Sequence, residues 1–350
     1  MTGGLPAKRR HQAVLAVVGA GIGVAATAIV IQGIDLKRTL EIVAGAQPQL
    51  LAGAIGLIAV QATLRAIRWK ALLPVRANGS RASLARVLPA MLIGYLGNAV
   101  LPARLGEVLR SAVVARREGF AASEALGSAV LERVLDVLVL ALLGLLAVAG
   151  LVVPGWMTAT AVVAFAVATA ALVILGMGAF ITLRHHARGE DHGNAGGGGK
   201  GAWIRVTIAR LVTGLTRGAR VVDRPWAIAF AVGLTLVAWL IDASIFWLAA
   251  RALGYELWPA GALLVSVAAV LSTAIPTAPG YVGTFELAAV AALSVSGIEG
   301  EAALAVALVA HGIAVIPLSL AGALSLWVVG GQWARTRDAA ARTHAQIGGS

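Results

Sequence analysis

An all-α, polytopic membrane fold follows from three properties of the 350-residue chain: its apolar share, its scarcity of charge and the length of its apolar runs. Hydrophobic residues make up 59% and charged residues 13%, whereas soluble domains hold roughly 45 to 50% and 25%. Mean hydropathy is +0.88. At about 1.5 Å rise per residue, a helix needs roughly 20 apolar residues to cross the hydrocarbon. Runs of that order lie at about 13–34, 49–67, 84–101, 125–153, 157–183, 226–250, 259–275 and 301–330, with a shorter one at about 285–297. They are continuous rather than alternating, so the chain reads as a helical bundle and not a β-barrel.

Lys8, Arg9 and Arg10 precede the first run in the manner of a signal peptide, but 13–34 is too long for an h-region, so it is expected to be an uncleaved helix. Gly19 and Gly23 within it permit close helix packing. The net charge of +12 sits beside apolar runs, where it marks topology rather than a nucleic-acid partner. With no cysteine, disulfides, thiolate metal sites and cysteine nucleophiles are excluded.

Charge decides how the runs thread. Treating the eight long runs as simple spans gives no bias of Lys and Arg between the two faces. If 84–115 is instead a re-entrant pair entering from the cytoplasm, and 259–297 one entering from the other face, only Lys37, Arg38 and Arg251 remain outside. Arg104, Arg110 and Arg133 then lie in the membrane. This layout has six full spans, at about 13–34, 49–67, 125–153, 157–183, 226–250 and 301–330, plus two opposed re-entrant hairpins. Both termini are cytoplasmic, and the expected location is the cell (inner) membrane. Trp69, Trp156, Trp203, Trp226, Trp258, Trp327 and Trp333 fall near span ends, as an interfacial belt requires.

The two hairpin turns look alike. One runs Asn98-Ala-Val-Leu-Pro-Ala-Arg-Leu-Gly-Glu107, the other Thr273-Ala-Ile-Pro-Thr-Ala-Pro-Gly-Tyr-Val-Gly-Thr-Phe-Glu286. Each leads through proline and glycine to a glutamate that opens the next half-helix. Inverted repeats with interrupted helices meeting at the midplane build the sites of many transporters. Between the spans, 184–203 reads as a flexible Gly/His-rich cytoplasmic linker. Its His185, His186 and His192 are expected to be solvated rather than metal-binding. The segment 204–224, with Arg205, Arg210, Arg217 and Arg220 among apolar residues, reads as a basic amphipathic helix on the inner leaflet.

A charged side chain inside a span costs roughly 2.5 to 3.5 kcal/mol on insertion scales, so each needs a partner or a purpose. Arg104, Glu107 and Arg110 are spaced three apart on one helical face, which would place the carboxylate between two guanidiniums. Glu132, Arg133 and Asp136 form a second compact set. Together the six sum to zero charge, and two readings stay open: a neutral network pinning the hairpin to the next span, or an arginine fork for a lipid phosphate beside the Pro102 to Gly106 turn. Glu286 and Asp242 have no basic residue nearby in sequence, which makes both candidates for proton coupling, with His311 as a relay member or a packing partner. For Asp242 the plainer alternative is a hydrogen bond between helices.

With these residues on view, the chain resembles the flippase-like transmembrane domain of the lysylphosphatidylglycerol synthases and its stand-alone relatives. The resemblance rests on Leu64-Arg-Ala-Ile-Arg-Trp69, on Asn98 to Glu107 with Arg110, on Leu131-Glu-Arg-Val-Leu-Asp136, and on Pro276 to Glu286, in that order along most of the chain. It implies movement of aminoacylated phospholipids between leaflets. With no synthase part before Ser350, it also implies no aminoacyl transfer, so the chain is not expected to be an enzyme.

The leading expectation is therefore a membrane lipid translocase with a polar midplane site. Its substrate-binding candidates are Asn98, Pro102, Arg104, Gly106, Glu107, Arg110, Glu132, Arg133, Asp136, Pro276, Pro279, Gly280, Gly283 and Glu286. No catalytic residue, cofactor or metal site is expected. The partners are membrane lipids, anionic, aminoacylated or polyprenyl-phosphate-linked, together with an envelope-synthesis enzyme, and no nucleic acid. The alternatives are a proton-coupled transporter of a small anion, an intramembrane transferase using Glu107, Glu132 or Asp136 as base, and a non-catalytic partner of envelope lipid or glycan synthesis.

Overall fold

The computed structural model describes residues 7–76, 79–101, 104–149, 224–274 and 278–347, with isolated helical positions between 155 and 170. The expected span at 157–183 lies largely outside the described residues, and the linker at 184–203, the interfacial segment up to 223, Pro102 and Pro276 lie wholly outside them. The described residues form helices α1 (Ala7–Ile31), α2 (Leu36–Ala44), α3 (Pro48–Leu72), α4 (Leu84–Val100), α5 (Leu105–Glu118) and α6 (Ala122–Ala149). After the gap come α7 (Pro225–Ala252), α8 (Pro259–Ser272), a 3-10 turn at Pro279–Tyr281, α9 (Thr284–Val295) and α10 (Gly300–Ile347). No strand occurs among them.

The protein is a membrane-embedded multi-pass helical bundle. Helices α3, α7 and the Gly300–Gln332 part of α10 are each long and apolar enough to cross a bilayer. The stretch Val18–Ile31 makes a fourth only together with α2, and the pair bends by 85°. Residues 35–44 lie between two of the expected spans and outside both. Asp35 starts α2 there, because its carboxylate accepts from the Lys37 and Arg38 amides at 2.9 and 3.1 Å and so satisfies the open N-terminal donors. Helix α6 is 28 residues long and carries Glu132, Arg133 and Asp136 in its interior.

Both interrupted segments fold back on themselves, α4 against α5 and α8 against α9. Close approach in the first requires Gly106, since a Cβ there would lie 2.1 Å from the Gly94 carbonyl oxygen. Each hairpin has its own apolar core. The first buries Ile93 and Val114 with Ala66, Trp69 and Ala125. The second buries Val265 and Leu293 with Phe246, Phe285 and Val306. Helix α1 packs on the second turn, where Gly23 allows Ala278 and Val282 close, in keeping with the expected packing role of that glycine.

Large apolar side chains such as Val24, Leu146, Leu320 and Leu324 face outward, as a lipid-solvated surface allows. Trp226, Trp258 and Trp327 have the exposure that an interfacial position requires. Trp69 does not. It is wholly buried, its indole N–H donating to the Ser128 hydroxyl at 3.1 Å, because α3 continues past the expected end of its apolar run.

Candidate functional site

Because α3 runs on to Leu72, past the expected end of its apolar run at 67, Arg68 faces the interior along with Arg65. Arg68 has no exposed surface. Its guanidinium is paired with Glu132, meets Asp136 at 2.5 Å and donates to the Thr235 hydroxyl at 2.8 Å. Arg110, also buried, joins Glu107 at 2.5 Å and Glu132 at 2.9 Å and lies over the Trp69 ring at 4.4 Å. Arg133 closes the circuit, reaching Glu107 at 2.7 Å and Asp136 at 3.3 Å. Three guanidiniums and three carboxylates thus interlock across α3, α5 and α6. Mutual pairing is what lets so many charges be buried together.

This changes the expected partnership. Glu107 sits between Arg110 and Arg133, not between Arg104 and Arg110, and Arg68 supplies the third cation. Nothing in the spacing of charges on one helix could select Arg68, because it comes from a helix distant in the chain. The available signal was two arginines, Arg65 and Arg68, spaced three apart beside Trp69.

Arg104 turns the other way. It starts α5 in the left-handed region (φ 54), an unusual conformation for a residue with a Cβ. Its Nε donates to the Thr273 carbonyl at 3.0 Å and its Nη2 to the Thr273 hydroxyl. Its guanidinium also lies 5.4 Å from the centre of the Tyr281 ring. Tyr281 is itself left-handed (φ 62). One such residue in each turn therefore faces the other, and the two interrupted segments converge.

Where they converge lies a cavity of about 170 Å³. Its polar lining includes Gln61 and Arg65 of α3, Asn98 of α4, Arg104 and Glu107 of α5, Arg133 of α6, Asp242 of α7, Thr273 and His311. Gly280 and Tyr281 line it from the second turn. Arg110, Glu132 and Asp136 stand behind this wall in the ion network, and Gly106 lies in the α4/α5 contact. Asp242 accepts from Gln61 at 3.1 Å and from Ser266 at 2.8 Å, joining α3, α7 and α8 by hydrogen bonds.

Behind the second turn, Glu286 reaches back over the start of α9. Its Oε2 accepts from the Gly283 amide at 2.7 Å, while Oε1 shares a 2.5 Å hydrogen bond with His311 Nδ1. The imidazole stacks on Phe285 with ring centres 4.3 Å apart. Two of the three proton-coupling candidates, distant in sequence, are thus in direct contact, and the third, Asp242, shares the cavity with His311. Pro279 belongs to the 3-10 turn and Gly283 to the cap of α9, so both shape the backbone around this pair.

The family described as "Lysylphosphatidylglycerol synthase TM region" matches residues 14–322. The chain belongs to that family. The matched region takes in both hairpins, the ion network and every residue lining the cavity. A similar curated protein is Glycosyltransferase AglD of Haloferax volcanii, 30% identical over an alignment covering 85% of this chain and 51% of the relative. The chain therefore spans about half the length of that relative.

Proposed function

We propose that this protein is a lipid translocase that carries a phosphate-bearing or aminoacylated headgroup through the cavity between the two hairpin turns while the acyl or prenyl tails stay in the bilayer. One observation carries the reading: two broken helical segments converge on a polar cavity inside a bundle whose outer surface is apolar. Irregular backbone at membrane depth is tolerated where it lines such a cavity. In this reading six helices span the inner membrane, the hairpins enter from opposite faces, and both termini are cytoplasmic. The protein moves lipid without chemically changing it and serves an enzyme of envelope lipid or glycan synthesis. Family membership and the likeness to a glycosyltransferase support that setting.

Exchange of fluorescent phosphatidylglycerol in proteoliposomes tests the proposal. Protein-containing vesicles are expected to exchange lipid faster than empty ones, and Arg104→Ala to slow exchange about tenfold, the equivalent of one charge-assisted hydrogen bond. Equal rates with and without protein, unchanged by Arg104→Ala, would remove the reading. Single cysteines placed at Arg38 and Arg117 in this cysteine-free chain test the layout, since thiol reagents are expected to reach them from opposite sides.

A second reading has its own support. The Glu286–His311 hydrogen bond beside the cavity is suited to hold and release a proton during passage of a small anion. Exchange driven by an imposed pH gradient, and abolished in Glu286→Gln, would favour it.

A further inference from the structure

Three arginines line the cavity, and they differ in what they already hold. Arg133 is paired with Glu107 and Asp136. Arg104 is held by Thr273 across the two turns. Arg65 has neither kind of partner: its Nε is buried with no hydrogen bond, and among the described residues it forms no ion pair. The residue is 8% exposed. Its guanidinium lies against the Trp239 ring at 4.3 Å from the ring centre, which orients the fork and shields one face. The neighbouring acid, Asp242, is occupied by Gln61 and Ser266.

A buried guanidinium without an ion pair, beside an acid that two other side chains already engage, is costly unless an anion completes it. Arg133 is neutralised in the ion network and Arg104 is held by Thr273, so among the described residues Arg65 is the cavity-lining guanidinium with no ion pair and an unbonded Nε. Planar, permanently charged and able to give two parallel N–H bonds, the group suits a phosphate oxygen pair better than a single-point acceptor. We infer that Arg65, presented on the Trp239 ring, is the anion anchor of the cavity and binds the phosphate of the carried headgroup. Arg104 keeps the turns together and is not the primary ligand. This rests on the translocase reading for the source of the phosphate, a lipid headgroup rather than the free ion, and corrects the expected arginine fork, whose Arg110 stands outside the cavity lining.

The experiment is equilibrium binding in neutral detergent, so that affinity is read without transport. The probes are fluorescent phosphatidylglycerol and a diacylglycerol with the same tails and label but no phosphate. Arg65→Gln is expected to weaken phosphatidylglycerol binding about tenfold to a hundredfold, the range of one lost charge-assisted pair, and to leave diacylglycerol binding unchanged. Its unfolding temperature is expected not to fall, because no partner is stranded. Arg38→Gln, on α2 and away from the cavity, is expected to change none of these.

Undiminished phosphatidylglycerol binding by Arg65→Gln overturns the inference, as does an equal loss for both probes. If Arg65→Gln fails to fold, Arg65→Met, which keeps an apolar stem over Trp239, answers by the same ratio. Competition by millimolar inorganic phosphate would assign the anchor to the free ion and overturn the lipid source, whereas its absence supports the headgroup. Binding that depends on Arg65 in a protein that moves no lipid sinks the translocase proposal alone. Lipid exchange indifferent to Arg65 sinks this one alone.

Discussion

The two hairpins share a plan and differ in how each holds the glutamate that follows its turn. In the first, Glu107 is fixed by two guanidiniums, Arg110 and Arg133. In the second, Glu286 is fixed by a backbone amide and one imidazole. The first arrangement is a closed network of ion pairs. The second is a single acid–imidazole contact backed by one amide. The first hairpin is locked by several ion pairs across three helices and the second by one side-chain contact, with the cavity lying between them.

The sharpest break of that contrast is Arg68→Ala, which leaves Glu132 and Asp136 buried without their main counter-charge. Removing one partner from such a network costs about 3–5 kcal/mol, so thermal unfolding in detergent should show a severe loss or no folded protein at all. Gly106→Ala should follow, at about 1–3 kcal/mol or more, because α4 and α5 must part to admit a methyl group 2.1 Å from the Gly94 oxygen. Unchanged unfolding in that variant would mean the first hairpin is not held as tightly as described.

Glu286→Gln should cost only about 1 kcal/mol, since an amide oxygen still accepts from Gly283, while any dependence of lipid or anion exchange on a pH gradient should vanish. A stability loss as large as that of Arg68→Ala would erase the proposed difference between the hairpins. Comparable in stability cost, with no effect expected on any dependence on a pH gradient, is Thr273→Val, which frees Arg104 of a hydroxyl but not of the backbone carbonyl. A loss of about 0.5–1.5 kcal/mol is expected, measured by the same unfolding assay.

Most helices could be placed from hydropathy, including both interrupted segments, because burying apolar surface is a property of each run taken alone. The short helix α2 was missed because its pattern is amphipathic and brief, and its start depends on the cap at Asp35. The apolar run at 49–67 stops just short of Arg68 and Trp69, although the helix continues to Leu72. Trp69 is therefore expected at an interface, and Arg65 and Arg68 are absent from the candidate site, although all three are buried.

Taken alone, the chain's composition determined that it must live in lipid as a helical bundle, and its intramembrane charges determined that something polar must be enclosed. Pairing was beyond its reach. Five arginines and five acids within apolar segments admit many neutral combinations, and Coulomb attraction has no preference among them until packing sets distances. Only the folded chain decided that Arg68 would replace Arg104 in the network, that Arg104 would clasp the opposite turn, that Glu286 would find His311, and that Arg65 would remain open at the cavity. The physical reason is that hydropathy acts locally along a helix, whereas the choice of ion-pair partner depends on which helices touch and at what height.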